Sequence, residues 1–108
     1  MAGTLSRADV RLCRFAPPHK ERPVLVLTRD SAIGHLAAVT VAPITSTIRG
    51  VRSEAILGID DGMKGPCAVN LHHAVTVAQA RLGRLVGKLG TARMEEVCAA
   101  LRFSLGCG

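Results

Sequence analysis

The chain is nearly without aromatic residues. It contains no Trp and no Tyr, and Phe15 and Phe103 are its only phenylalanines. Proteins that bind single-stranded nucleic acid commonly stack bases on aromatic side chains, so such contacts here must come mainly from Arg, Lys, His and backbone groups. No apolar run approaches the roughly 20 residues of a membrane-spanning helix, and the N-terminal segment lacks the apolar region of a signal peptide. We therefore expect a cytoplasmic protein.

The four cysteines form no metal or redox motif. Cys13, Cys67, Cys98 and Cys107 contain no C-x-x-C pair and have no zinc-type spacing with the histidines. We expect the first three to be small core residues and Cys107 to be exposed and oxidisable. The sequence predicts neither a metal site nor a cofactor site.

Basic residues outnumber acidic residues. The 108 residues include 14 Lys and Arg against 8 Asp and Glu, which gives a formal net charge of +6. This balance is typical of proteins that bind nucleic acid or an acidic protein segment, although a merely soluble basic surface has the same count. With 48% hydrophobic residues, we expect residues 1–108 to form one folded domain.

Short apolar runs bounded by turn residues predict several strands. The predicted strands cover residues 10–12, 23–28, 37–45, 54–57, 66–71 and 74–77, and a further strand lies within 81–89. Pro43 predicts a strand edge or a bulge.

The C-terminal segment predicts an amphipathic helix that Thr91 caps and Gly106 ends. Its apolar residues recur at three- and four-residue spacing: Met94, Val97, Cys98, Leu101 and Leu105. The predicted fold is therefore mainly β with a C-terminal α-helix, a small barrel-like antiparallel sheet with one packed helix.

Several segments, in order, resemble the MazF/PemK family of toxin endoribonucleases. The first two are Arg22-Pro23-Val24-Leu25-Val26-Leu27 and Val39-Thr40-Val41-Ala42-Pro43-Ile44-Thr45-Ser46. The later ones are Val69-Asn70-Leu71 before Thr76-Val77, Arg81-Leu82-Gly83 before Gly87-Lys88-Leu89, and Leu101-Arg102-Phe103-Ser104-Leu105. Together they extend over nearly the whole chain.

The resemblance implies a fold, an activity and partners. The fold would be the antiparallel barrel-like sheet of the MazF/PemK/CcdB type, assembled as a homodimer. The activity would be sequence-specific, metal-independent cleavage of single-stranded RNA, which inhibits translation and growth. The partner would be a cognate antitoxin whose flexible acidic tail lies across the RNA groove.

The resemblance also implies a catalytic pair. In this family the Arg before the Pro of the second strand and the Thr at the end of the third strand are catalytic, and here these are Arg22 and Thr45. The 2′-hydroxyl of RNA is its own nucleophile, so the protein must place donors on the phosphate and assist two proton transfers. The planar fork of Arg22 suits a phosphate clamp, and Thr45 can donate a hydrogen bond to the same phosphate.

The loop before Arg22 departs from the family pattern. Many members carry a Gly-Ser-Glu stretch there, where this chain has Ala16-Pro17-Pro18-His19-Lys20. The usual carboxylate is missing, so Glu21 and His19 are the substitutes for the general base. Of the two, His19 has the better intrinsic pKa for proton transfer at neutral pH.

Further polar residues are candidates for an RNA-binding groove. His72 and His73 stand where the family has an acidic or amide residue followed by Gln. Neighbours in a strand point to opposite faces, so one of them, His73 in our interpretation, is expected to face the groove. The other candidates are Ser46, Thr47, Arg49, Arg52, Arg81 and Arg84. An ordinary basic surface explains these residues equally well.

Two other functions remain open. One is a non-enzymatic toxin of the CcdB type, which acts on DNA gyrase through a C-terminal tripeptide containing Trp; this chain ends Leu105-Gly106-Cys107-Gly108. The other is an inactive nucleic-acid-binding module, which the missing carboxylate keeps open.

Overall fold

A computed structural model describes residues 4–15 and 20–107. Within these residues the strands are β1 Asp9–Cys13, β2 Arg22–Val26, β3 Ala38–Thr45, β4 Glu54–Leu57, β5 Cys67–Asn70, β6 Val75–Ala78 and β7 Leu82–Lys88. The helices are α1 Asp30–Ile33 and α2 Thr91–Leu105, and single 3-10 turns cover Ile59–Asp61, Leu71–His73 and Gln79–Arg81. The prediction of a mainly β fold with a C-terminal helix is confirmed.

All strand pairs are antiparallel, in the order β4-β5-β3-β2-β1-β7, and β6 also pairs with β3. The strand β3 is therefore central, with β2 along one side and β6 followed by β5 along the other. Short strands with turn residues between them form this sheet because each buries its apolar side chains and pairs its backbone groups.

Pro43 lies in a central strand, not at the predicted edge. The N–H of Leu27 donates to the carbonyl of Thr40, so the odd-numbered residues of β3 direct their backbone groups away from β2. On the side away from β2, β3 pairs with β6 as far as Val41 and with β5 from Ile44 onward. The missing N–H of Pro43 faces the gap between these two partners. A proline is tolerated there because no ladder hydrogen bond is lost.

The sheet separates two hydrophobic clusters. The helix face packs under α2 and comprises Val10, Leu25, Ala42, Ile44, Ala55, Leu57 and Val69, with Val97 and Ala100 of the helix. The far face comprises Cys13, Val24, Val26, Val39, Val41, Val77 and Leu82, with Ile33 of α1. Because side chains alternate along a strand, this division settles the face on which each strand residue lies.

The helix α2 begins one residue earlier than predicted and buries less of its apolar stripe. Gly90 occupies the cap position and Thr91 is the first helical residue, whereas Gly106 ends the helix as predicted, with a φ of 70°. Val97 and Ala100 are buried, but Leu105 is 64% exposed. No helix of the described chain is long and apolar enough to cross a membrane.

Candidate active site

Arg22 and Thr45 lie at the same end of the far face. The last residues paired between β2 and β3 are Val24 and Pro43, and continuing this register by two residues places Arg22 level with Thr45. Adjacent strands are about 4.8 Å apart, and residues opposite each other in an antiparallel pair point to the same face. Pro23 has no N–H to extend the ladder, so these strand ends are not tied to each other. The register therefore places the predicted pair at the same end of one face of the sheet.

Arg22 is exposed, and Thr45 is half-buried. The hydroxyl oxygen of Thr45 accepts a hydrogen bond from the backbone N–H of Thr47, at 3.1 Å. A hydroxyl that accepts one bond keeps its own hydrogen to donate. The pair can therefore offer a guanidinium fork and a hydroxyl donor to one anion.

Two further arginines extend the positive charge beside Arg22. Cys13 pairs with Arg22 on one side and with Leu82 on the other. The guanidinium of Arg81 donates to the carbonyl of Arg14 at 3.2 Å, and that of Arg14 donates to the carbonyl of Ala80 at 3.3 Å. Both side chains are thereby held at this end of β1 and β7. The sequence predicted Arg81 for this surface but not Arg14, whose position depends on the pairing of β1 with β7.

The buried thiol of Cys13 lies within the influence of these charges. Burial raises its pKa, and the positive charges of Arg81 and Arg14 partly oppose the rise. Because the net direction is upward, the thiol is neutral at neutral pH and does not offset the positive charge of the surrounding arginines. Cys13 therefore contributes no negative charge that would weaken the binding of a phosphate here.

The segment after Thr45 is held by a carboxylate that the sequence did not single out. Glu54, at the start of β4, is 9% exposed. Its carboxylate accepts hydrogen bonds from the backbone N–H groups of Arg49, at 3.2 and 3.3 Å, and Gly50, at 2.9 Å. Gly50 has a φ of 74°, which favours glycine at this turn. Glu54 thus fixes the turn that carries Ser46, Thr47 and Arg49, all of them exposed.

Two predicted RNA-binding residues, Arg52 and His73, have surroundings that the sequence did not predict. The guanidinium of Arg52 stacks over the ring of Phe103 in α2, 4.3 Å from its centroid. This contact holds Arg52 against the helix, away from the far face. His73 is exposed in a 3-10 turn, not in a strand, so the alternation argument for its orientation does not apply. Its ring lies 4.4 Å from that of His72, whose Nδ1 is 2.7 Å from the hydroxyl oxygen of Ser53.

Of the two candidate bases, Glu21 does not lie on the face of the Arg22–Thr45 pair. Glu21 is exposed, and its carboxylate lies 3.9 Å from the position that a Cβ on Gly83 would occupy. It therefore extends over β7, and alternation directs it away from the face of Arg22. His19 lies outside the described residues. Arg84 is exposed on β7, the strand next to β1.

A cleft of about 730 Å³ lies nearby but does not include Arg22 or Thr45. Arg11 and Gln79 contribute polar groups to its lining, and Ile33 and Leu82 contribute apolar ones. The Arg11 guanidinium already donates to the carboxylate of Asp9 at 3.1 Å and to the carbonyl of Gly83 at 3.1 Å. We therefore base the candidate site on the exposed pair and its arginines.

Comparison with known proteins agrees with the fold and the residue pattern. The sequence model of one protein family, described as PemK-like, MazF-like toxins of type II toxin-antitoxin systems, matches residues 6–105. The chain is 39% identical over 108 residues to the probable endoribonuclease MazF5 of Mycobacterium tuberculosis, covering 99% of this chain and 98% of that protein. It is 40% identical over 80 residues to the endoribonuclease MazF3 of the same species, covering 74% and 78%.

Solved structures of MazF-type proteins have the same fold as this chain. The Mycobacterium tuberculosis toxin MazF-mt6 has a TM-score of 0.83 to this chain at 32% identity, over 91% of this chain and 96% of that one. A mycobacterial endoribonuclease in complex with its cognate antitoxin has a TM-score of 0.87 at 25% identity, over 97% and 98%. This chain therefore belongs to the MazF/PemK family of toxin endoribonucleases of type II toxin-antitoxin systems.

Proposed function

We propose that this protein cleaves single-stranded RNA at specific sequences in the cytoplasm, without a metal ion, and thereby stops translation and growth. The observation that supports this most directly is the placement of Arg22 level with Thr45 on one face of the sheet. Arg14 and Arg81 add basic charge beside that pair. Relatives named as endoribonucleases share the fold over most of its length.

In the proposed reaction, the substrate supplies the nucleophile. The 2′-oxygen attacks the adjacent phosphorus, the bond from phosphorus to the 5′-oxygen breaks, and the products are a 2′,3′-cyclic phosphate and a 5′-hydroxyl. One proton leaves the 2′-hydroxyl and one reaches the departing oxygen. Negative charge grows on the non-bridging phosphate oxygens, which is where donors lower the barrier most.

Arg22 and Thr45 take the role of phosphate donors. The guanidinium stays charged throughout, so it stabilises the transition state as a bidentate clamp rather than acting as an acid. The Thr45 hydroxyl donates to the same phosphate. We retain His19 and Glu21 as the candidates for the base. The carboxylate of Glu21 extends over β7, and His19 has the better intrinsic pKa for proton transfer at neutral pH.

The proposed partners follow from family membership and charge. A flexible acidic segment of a cognate antitoxin would bind the same basic surface and exclude RNA, since both ligands are polyanionic. A mycobacterial relative has been solved in complex with its antitoxin. We further propose that the active toxin is a homodimer.

The decisive experiment is an RNA cleavage assay in EDTA with structured and unstructured RNA. Wild-type protein should cut the unstructured RNA and leave 5′-hydroxyl ends. Arg22→Ala and Thr45→Ala should each lower the rate by about 10²–10³-fold, the usual effect of losing one transition-state donor. Arg102→Ala, which removes an exposed charge from α2, is the matched control and should cut at the wild-type rate.

Two results would contradict the proposal. If wild-type protein cuts no RNA, the chain is not a ribonuclease, and a non-enzymatic toxin or an inactive binding module takes its place. If the Arg22→Ala and Thr45→Ala proteins both cut at the wild-type rate, the assigned site is wrong.

A further inference from the structure

Asn70 contains a buried polar atom that binds nothing in the described protein. Its Oδ1 has an accessible area below 1 Å² and no hydrogen-bond partner within residues 4–15 and 20–107. The residue as a whole is only partly buried, at the end of β5. Buried polar groups in folded proteins are nearly always paired, so an exception calls for a specific explanation, such as a role at a binding site.

The position of Asn70 connects it with the proposed phosphate site. Thr45 pairs with Ala68 of β5, and Asn70 follows Ala68 by two residues on the same face of the sheet. Asn70 and Thr45 are therefore diagonal neighbours across the ladder, about 7 Å apart. That distance lets an amide side chain reach a group adjacent to a phosphate that Thr45 holds.

The protein neighbours of Asn70 do not use its amide. Glu54 lies directly opposite on β4, and its carboxylate is a possible acceptor for Nδ2. Both of its carboxylate oxygens instead accept from the backbone of Arg49 and Gly50. Asn70 is therefore not part of the network that fixes the turn after β3.

An unpaired amide can turn over without breaking a bond. A half-turn about its last torsion exchanges the carbonyl oxygen with the NH₂ group, so Asn70 can present an acceptor or a donor at the position that Nδ2 occupies in this structure. A ribose 2′-hydroxyl is likewise both donor and acceptor. It is also the group that lies next to the scissile phosphate in RNA and is absent from DNA.

We infer that Asn70 binds the 2′-hydroxyl that attacks the phosphate and holds it in line for the reaction. The inference rests on the proposed ribonuclease function. A neutral amide does not take the proton, so Asn70 is a substrate-binding residue that orients the nucleophile, distinct from the base. It would also make this end of the sheet selective for RNA over DNA.

The test removes the Asn70 side chain and the 2′-hydroxyl that it is proposed to bind, separately and together, and measures RNA binding. The cleavage site is first mapped with wild-type protein from the 5′-hydroxyl ends it produces. Binding is then measured in the Arg22→Ala background, where cleavage should be about 10²–10³-fold slower, with RNA and with the same RNA carrying a single 2′-deoxy sugar at the mapped position. When Asn70 is present, removal of this hydroxyl should weaken binding about tenfold, a typical effect of one hydrogen bond.

In the Asn70→Ala protein the same deletion should have almost no effect. Asn70→Asp keeps the shape and the acceptor, so it should preserve the discrimination while binding both RNAs more weakly through repulsion of the phosphate. Circular dichroism and thermal unfolding show whether each variant is folded.

Equal discrimination with and without Asn70 would overturn the inference while leaving the ribonuclease function intact, as would loss of discrimination in Asn70→Asp. Absence of any wild-type cut would overturn both together.

Discussion

Cys13 shows how a single residue can matter to the site without taking part in the chemistry. It lies beside Arg22 in the sheet, is fully buried, and has a raised pKa despite two nearby arginines. The sequence predicted a small buried thiol, and this is confirmed for Cys13 and Cys67. It did not predict the neighbourhood of Cys13, because that depends on pairing across three strands.

Thiol alkylation should separate the cysteines by exposure and protonation. Only the thiolate reacts, and a raised pKa leaves Cys13 with less thiolate at any given pH. Iodoacetamide on the native protein should therefore modify exposed Cys107 first and Cys13 last, and the rise in Cys13 reactivity should occur at higher pH than in the unfolded chain. Peptide mass spectrometry measures each site.

The same reaction in denaturant is the control, where all four cysteines should react at comparable rates. Equal rates for Cys13 and Cys107 in the native protein would show that the far face opens far more readily than this structure implies.

At the scale of elements, regular patterns were predictable and long-range contacts were not. The strand around Val24 and the helix ended by Gly106 follow from local sequence. Arg11, by contrast, is only 5% exposed although it is a charged residue between apolar neighbours in β1. It is buried because β1 lies between β2 and β7, and because Asp9 pairs with its guanidinium.

The helix shows a related limit of the sequence pattern. Leu105 continues the predicted apolar stripe, but the sheet ends before it and leaves it exposed. Cys98 was predicted to be buried and is only half-buried, since its sulfur contacts the guanidinium of Arg7, 3.1 Å away. Spacing identifies a helical face, whereas the extent of its burial depends on what packs against it.

The turn between β3 and β4 should depend on one carboxylate. Glu54→Gln keeps the size but replaces a charged acceptor by a neutral one, so the bonds to Arg49 and Gly50 weaken. We expect a loss of about 2 kcal/mol in the free energy of unfolding, in the range for hydrogen bonds to buried charged groups. Urea unfolding measures the loss, and limited trypsin digestion should cut more rapidly after Arg49.

Glu95→Gln provides the control because Glu95 is exposed on α2, and it should alter neither measurement. Wild-type digestion kinetics in Glu54→Gln would mean that other contacts hold the turn.

At the scale of the whole molecule, the net charge of +6 predicted a polyanionic partner but not which surface binds it. The fold places Arg14, Arg22 and Arg81 at one end of the sheet, whereas Arg52 is held on Phe103 of α2. Sequence position alone could not separate these arginines, since it contains no information about which strands become neighbours.

The salt dependence of RNA binding tests whether this uneven distribution of charge determines the binding surface. For single strands, the slope of log affinity against log salt falls in magnitude by about 0.7 for each phosphate contact that is lost. In the slowly cutting Arg22→Ala background, combining Arg14→Gln with Arg81→Gln should therefore lower the magnitude of the slope by about 1.4. The control combines Arg102→Gln with Lys64→Gln, which removes the same charge from exposed positions elsewhere and should leave the slope unchanged. Fluorescence anisotropy at several salt concentrations measures the slope for both double variants. Equal reductions in both double variants would mean that RNA responds to overall charge, and a reduction only in the second would move the binding surface to the helix side of the molecule.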